Sequence, residues 1–202
     1  MLGFFSFEMI YINDDITHFD LQSALPLLTE QRRSQALAFR HELGQKLCAA
    51  AYLLLCDGLR EEYGITRPPL LGYTKDGKPY LTDHPGIHFN LSHCQEAAIC
   101  AISGHPIGID VERLRSYNEM VARYTMNEEE MRQIISSPHP DIAFISLWTR
   151  KEALLKLTGT GIKKDMKEVL TGTGVHFTTV VNQAHGYIYS VAEHCDAPGT
   201  QR

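Results

Sequence analysis

The run Gly108-Ile109-Asp110-Val111-Glu112 sets two carboxylates two positions apart. In an extended strand, residues two apart share a face, so Asp110 and Glu112 stand side by side while Ile109 and Val111 point the other way into a core. Like charges that close raise one another's pKa unless a cation lies between them. A hard divalent ion such as Mg²⁺ suits the pair, especially where substrate phosphates complete its octahedron. A solvated strand end with Arg113 and Arg115 as ion-pair partners satisfies the same five residues.

A second run, Trp148-Thr149-Arg150-Lys151-Glu152-Ala153-Leu154-Leu155-Lys156, reads as helix. Leu147, Leu154 and Leu155 supply a buried stripe, and Glu152 and Lys156 lie one turn apart on one face. Two readings stay open: a routine i,i+4 salt bridge, or a third carboxylate for a metal with lysines that neutralise phosphate. Trp148, the single tryptophan, reads as a packed core ring. A third run, His88-Phe89-Asn90-Leu91-Ser92-His93, buries Phe89 and Leu91 by alternation and then turns at Ser92-His93. Hydroxyl, imidazole and free amides at a strand end form an anion site, or a plain capped turn. A Ser-His nucleophile is disfavoured, because adjacent residues rarely place the hydroxyl on the imidazole and no third member is marked. No HExxH, P-loop or Rossmann glycine pattern occurs.

The elements that must position these groups follow from periodicity. Residues 5–12 read as an opening strand ended by Asn13-Asp14-Asp15. From Thr29 to Tyr63 the chain lacks breakers and carries Leu43, Leu47, Ala50 and Leu54 at helical spacing, giving one or two helices stopped by Gly64. Residues 67–85 read as a loop with short strands at Leu70–Tyr73 and Pro79–Leu81 around the turn Lys75-Asp76-Gly77-Lys78. Strands follow at Ile87–Leu91, Ala97–Ile102 and Ile107–Val111, then helix from Glu119 to Ile135. After the break at Pro138 and Pro140 a helix runs from Asp141 to Leu157, ended by Gly159 and Gly161, and the last strands are Val175–Val181 and Tyr187–Ala192. Ile87-His88-Phe89 with its partner strand echoes Val175-His176-Phe177 with its own. The echo suggests two similar halves that divide near Gly104.

The 202 residues suffice for one large domain or two small ones; 44% are apolar and 21% charged, as in ordinary globular proteins. A net charge of −5 offers no global field for nucleic acid. No apolar run is long enough for a membrane span, and the N-terminal stretch lacks the basic flank of a signal peptide. Cys48, Cys56, Cys94, Cys100 and Cys195 show no CxxC spacing, which predicts buried reduced thiols and a cytoplasmic setting.

Taken together and in order, FNLSH, GIDVE and WTRKEALLK, with GKPYL at 77–81, resemble the 4′-phosphopantetheinyl transferases of the longer, surfactin-synthetase-activating type. The similarity runs from about Glu30 to Gly161. It implies an α+β fold, a pseudo-twofold pair of similar halves (1–103 and 104–202), each a small antiparallel sheet on a long helix. Coenzyme A would lie in the cleft between them. It implies Mg²⁺, with Mn²⁺ able to substitute, on Asp110, Glu112 and Glu152, and catalytic roles for those three and Lys156. Lys151 and Lys156 would lie near the pyrophosphate, and Ser92 and His93 on a coenzyme A phosphate. Gly77, Lys78 and Pro79 would border the adenine, and Lys46 and Arg32 would serve the nucleotide phosphates. Gln31 and Ser34 stand where related chains often carry lysines, which implies either a weaker grip on the 3′-phosphate or Arg32 and Arg33 as the cations that substitute. Glu128 aligns with a further acidic position. The implied partner is an apo carrier protein, the implied state a monomer. A Mg²⁺-dependent phosphohydrolase or a non-catalytic coenzyme A-binding module are the alternatives.

Overall fold

The computed structural model describes residues 8–161 and 165–195. Strand β1 (Met9–Asn13) leads into a short helix α1 (Leu21–Ala24), capped by Asp20, then α2 (Glu30–Leu37) and the long α3 (Glu42–Tyr63). The hairpin β2 (Leu71–Tyr73) and β3 (Pro79–Leu81) precedes β4 (His88–His93), β5 (Ala98–Ser103) and β6 (Ile107–Arg113). Helices α4 (Glu119–Thr125), α5 (Glu128–Ser136) and α6 (Pro140–Thr158) follow, then a 3₁₀ turn at Met166–Glu168 and the strands β7 (Val175–Asn182) and β8 (Tyr187–His194).

Both long helices stop at a glycine in the left-handed region, Gly64 (φ 67°) and Gly159 (φ 68°), as the sequence signals. The single helix expected over Glu119–Ile135 is two. Asn127 takes the amide of Glu130 while Glu130 takes that of Asn127, a reciprocal cap that restarts the chain as α5. The expected turn at Ser92-His93 does not occur, because β4 pairs with β5 through His93. The apolar face of α3 is rotated from the one expected. Leu43 is exposed and Leu54 half-buried, while Cys48, Ala51, Tyr52, Leu55 and Leu59 are buried with Leu47 and Ala50. The opening strand is described only from Met9; residues 5–7 of that expectation lie outside the described residues. Of the thiols, Cys48 and Cys100 are buried, but Cys56 and Cys94 are half-buried and Cys195 is exposed.

Two antiparallel three-stranded sheets form, in the orders β1-β5-β4 and β6-β8-β7. Each arises from the same succession of strand, long helix and hairpin, with the first strand paired to the last. β5 is buried on both faces. Ala98, Cys100 and Ile102 meet α3, while Ile99 and Ala101 meet Ile107, Ile109, Val111, Tyr187 and Val191 of the second sheet. The far side of that sheet, through Ile188 and Ala192, packs on α6. The layers are thus helix, sheet, sheet, helix. Fully burying side chains such as Ile109 and Val111 contributes roughly 1.5–3 kcal/mol each. No helix among the described residues is long and apolar enough to cross a membrane.

Candidate active site

β6 is the strand that sets the site. Ile109 and Val111 are buried between the sheets, so Asp110 and Glu112 necessarily face α6. Its free edge is held by two side chains of β4: Asn90 Oδ1 accepts the Ile109 amide at 2.9 Å and Ser92 Oγ the Val111 amide at 3.2 Å. Gly108 brings the helix in. A Cβ there would lie 2.1 Å from the Ala153 carbonyl and 2.5 Å from the Leu157 nitrogen, so the α6 backbone rests directly on the strand.

That contact delivers one stripe of α6, Trp148, Glu152 and Lys156, to β6. Trp148 Nε1 donates to Glu112 Oε1 at 3.2 Å, and Lys156 Nζ donates to Asp110 Oδ1 at 2.7 Å and to Ser92 Oγ at 2.8 Å. Trp148 is therefore more than a core ring, although its stacking on Phe144 (6.3 Å between centroids) gives it that role too. Ser92 Oγ donates to Asp110 Oδ1 at 3.1 Å and accepts from Val111 and Lys156, so its one donor and both acceptor positions are used. Ser92, expected on a phosphate, is thus already fully engaged within the protein. It is buried and orients Asp110 and Lys156.

The electrostatics are unbalanced. Burial, then the Asp110 charge, raise the pKa of Glu112 against the opposing pull of Arg115, Trp148 and Lys156. Burial and Asp110 likewise raise Glu152, with Lys156 opposing and Glu112 adding to the rise. Asp110 Oδ2 and Glu152 Oε1 are buried and accept no hydrogen bond. Two orphaned carboxylate oxygens and two carboxylates burdened by a neighbour's charge fit a hard cation. Yet no three acidic, imidazole or thiol groups among the described residues are drawn together as a ready-made ion site. The fit is to an ion whose sphere phosphate oxygens complete, as Mg²⁺ prefers, rather than to a cage of protein ligands.

Beside Glu152 and Lys156 opens a cavity of about 220 Å³, walled by Asp76-Gly77-Lys78-Pro79, Asn90, Leu91, Leu155, Gly159 and Gly161. Gly77 (φ 86°) makes the turn that forms this wall. Lys78 Nζ donates to the Leu157 carbonyl at 2.8 Å, tying the hairpin to the end of α6, and burial lowers its pKa. His93 stands exposed at the end of β4, but the protein around its ring, then Lys156 and Arg32, lower its pKa.

Five further residues singled out in the sequence have other surroundings. Lys151 is fully buried, with Nζ 2.7 Å from Glu130 Oε2 and 2.5 Å from the Met166 carbonyl, and it does not line the cavity beside Glu152 and Lys156. Arg32 folds onto α3, donating to the Cys48 carbonyl at 3.0 Å and lying 5.7 Å from the Tyr52 ring centroid. Arg33 donates to the Leu25 carbonyl at 2.9 Å, so neither arginine simply substitutes for the missing lysines. Glu128 lines a separate hollow with Arg123, Met126 and Lys167. Lys46 lies 3.4 Å from Glu42 within α3. Sequence reasoning missed Asn90 and Glu130. The Asn-x-x-Glu spacing of the cap was the legible signal for Glu130, whereas nothing local marked Asn90.

Comparison with known proteins bears on this arrangement. The family described as the 4′-phosphopantetheinyl transferase superfamily matches residues 106–194, the stretch from β6 to β8. The 4′-phosphopantetheinyl transferase psf-1 of Bacillus pumilus is 27% identical over 161 residues, 78% of this chain and 69% of its own. The 4′-phosphopantetheinyl transferase Sfp of Bacillus subtilis (strain 168) is 24% identical over 156 residues, 76% and 70% of the two chains. HetI of Nostoc sp., also a 4′-phosphopantetheinyl transferase, is 38% identical over 100 residues, 46% and 42% of the two. With the family match on the stretch that carries Asp110, Glu152 and Lys156, and relatives whose similarity reaches into the first half as well, the chain is similar to the 4′-phosphopantetheinyl transferases, Sfp-like members among them.

Proposed function

We propose that the protein transfers the 4′-phosphopantetheine arm of coenzyme A to a serine hydroxyl of an apo carrier protein, releasing 3′,5′-ADP. The observation that carries this is the pair of buried, unpartnered oxygens, Asp110 Oδ2 and Glu152 Oε1, with Lys156 bound to the other oxygen of Asp110 and Glu152 and Lys156 lining the cavity behind Gly77-Lys78-Pro79. The names of the relatives agree with it.

Asp110, Glu112 and Glu152 would hold Mg²⁺, or Mn²⁺ in its place, which when bound neutralises pyrophosphate charge. The chain's own groups do the rest. The base of coenzyme A would enter the cavity behind Gly77-Lys78-Pro79, with the phosphates lying outward over Lys156 and His93. The serine oxygen attacks the phosphorus that carries the pantetheine arm. The bond from that phosphorus to the bridging oxygen breaks, and its electrons leave with 3′,5′-ADP, whose charge Lys156 stabilises. Glu152 takes the serine proton; burial and its anionic neighbours increase its affinity for that proton. Both walls of the cleft come from one chain, so the working form is a monomer.

The test is a mass measurement on apo carriers of the fatty-acid, polyketide and nonribosomal-peptide types incubated with coenzyme A and Mg²⁺. A gain of one phosphopantetheine per carrier is expected, abolished by EDTA and regained with Mg²⁺ or Mn²⁺. Turnover of coenzyme A without a carrier would identify a phosphohydrolase instead. Tight coenzyme A binding with no transfer to any carrier would identify a binding module.

A further inference from the structure

Lys151 follows the mechanistic stripe of α6 in sequence but not in space. Its ammonium is 0% exposed and meets groups from two other segments, the Glu130 carboxylate of α5 and the Met166 carbonyl of the 3₁₀ turn. Glu130 is itself 5% exposed and already engaged. The same Oε2 accepts the Asn127 amide at 2.8 Å, closing the reciprocal cap that begins α5. Asn127 completes the loop by donating from Nδ2 to the Lys167 carbonyl at 3.3 Å, next to Met166. One buried cation thus ties together α6, the N-terminus of α5 and the turn at 166–168. The adjoining residue on α6 is Glu152.

We infer that Lys151 is a positioning residue: its buried ammonium locks the start of α5 and the 166–168 turn onto α6, and this three-way tie fixes the rotation of α6 that aims Glu152 at Asp110. A buried charge is retained at a cost in desolvation, and an apolar pair of similar volume often gives equal stability. What an apolar pair does not give is a direction, because dispersion contacts are indifferent to small rotations, whereas a charged hydrogen bond at 2.7 Å is not. The tie sits where direction matters, beside a carboxylate whose partner oxygen is unsatisfied. The inference rests on the proposed role of Glu152 for its effect on rate, but the tie itself has a readout that needs no activity.

Two variants separate the possibilities. Lys151→Met leaves the Glu130 carboxylate buried and unpaired, and the melting temperature should fall. Lys151→Met with Glu130→Gln removes both charges while keeping a side chain that can cap Asn127, and most of that fall should be regained. In the folded double variant, kcat for transfer should remain at least about tenfold down, the low end of what misplacing a catalytic group costs, with the coenzyme A Kd by calorimetry within about twofold of wild type. Amide exchange should rise together over residues 127–131, 166–169 and around Glu152. Weakening of coenzyme A binding by tenfold or more in the double variant would make Lys151 a phosphate ligand. Normal kcat in the double variant would reduce the pair to a stability device. If the wild-type protein transfers to no carrier, the reading of Glu152 has failed. Exchange then decides alone: joint loss of protection over the three segments supports the tie, and unchanged protection overturns it.

Discussion

Glu152 and Lys156 are one turn apart on α6, yet they do not pair with each other: Lys156 turns to Asp110 and Ser92, which leaves Glu152 Oε1 without a hydrogen bond. Glu152→Gln should therefore leave the fold intact, since Gln matches Glu in size and helix propensity. It should lower transfer by at least ~10²-fold, the lower range for loss of a general base, with coenzyme A binding retained. Transfer rate, thermal melt and coenzyme A titration on one preparation check this; a folded variant with near-normal transfer would remove Glu152 from the chemistry. His93 calls for a different outcome. Burial, then Lys156 and Arg32, hold its pKa below the ordinary imidazole value, so in the proposed role the ring would meet a phosphate near pH 7 as a neutral N–H donor. His93→Ala should raise the coenzyme A KM more than it lowers kcat, as expected for lost ground-state binding. An unchanged KM with a large fall in kcat would instead assign the ring to the chemical step.

At the scale of elements, the site depends on how closely α6 approaches β6. Gly108 is what permits that approach, and there is no flexible side chain to move aside, only the Ala153 carbonyl and the Leu157 backbone. Gly108→Ala should push the helix outward, costing about 1–3 kcal/mol as overpacking does, and lengthen the reach from Lys156 to Asp110. Stability and transfer should fall together, which denaturant titration alongside the transfer assay measures. A variant of normal stability would show that the helix can shift without loss. The β4 strand acts at the same scale. Asn90 and Ser92 serve as hydrogen-bond partners for an edge that has no neighbouring strand, so replacing them would free β6 as well as its acids.

In the whole molecule, two units of matching topology share a seam, and Ile10 of β1 packs into it. Glu8, just before β1, is pushed up from 4.5 to about 7 by burial, then by its hydrogen bond and charge contact with Glu193 at the end of β8. Below about pH 4.5 the folded and unfolded chains both hold this proton; between there and pH 7 only the folded chain does. Stability should therefore decline as pH rises through that window and level off above it. Glu8→Gln should remove that part of the slope and raise the melting temperature at pH 8 relative to wild type. Parallel melting curves for the two proteins from pH 4.5 to 8 would show that the carboxyl pair contributes nothing.

The sequence by itself determined whatever depends on neighbours a few residues away. The alternation in GIDVE set Asp110 and Glu112 on one face opposite Ile109 and Val111. Gly64 and Gly159 ended their helices because only glycine adopts a left-handed φ there without strain. Helical spacing put Glu152 and Lys156 on one face. Tertiary structure decided which partner each group meets, because those partners lie far along the chain: Ser92 and Asp110 are 18 positions apart, Lys151 and Glu130 21, Lys156 and Asp110 46. Helix α6 is apolar on more than one side, with Leu147, Leu154, Leu155 and Leu157 all buried. Periodicity therefore could not say that Glu152 would face the cleft and its neighbour Lys151 the interior. The same limit applied to Arg32 and Ser92. A cation or a hydroxyl next to a phosphate site is indistinguishable in sequence from one that satisfies a buried carbonyl or amide, and only packing settles which polar group would otherwise be left without a partner.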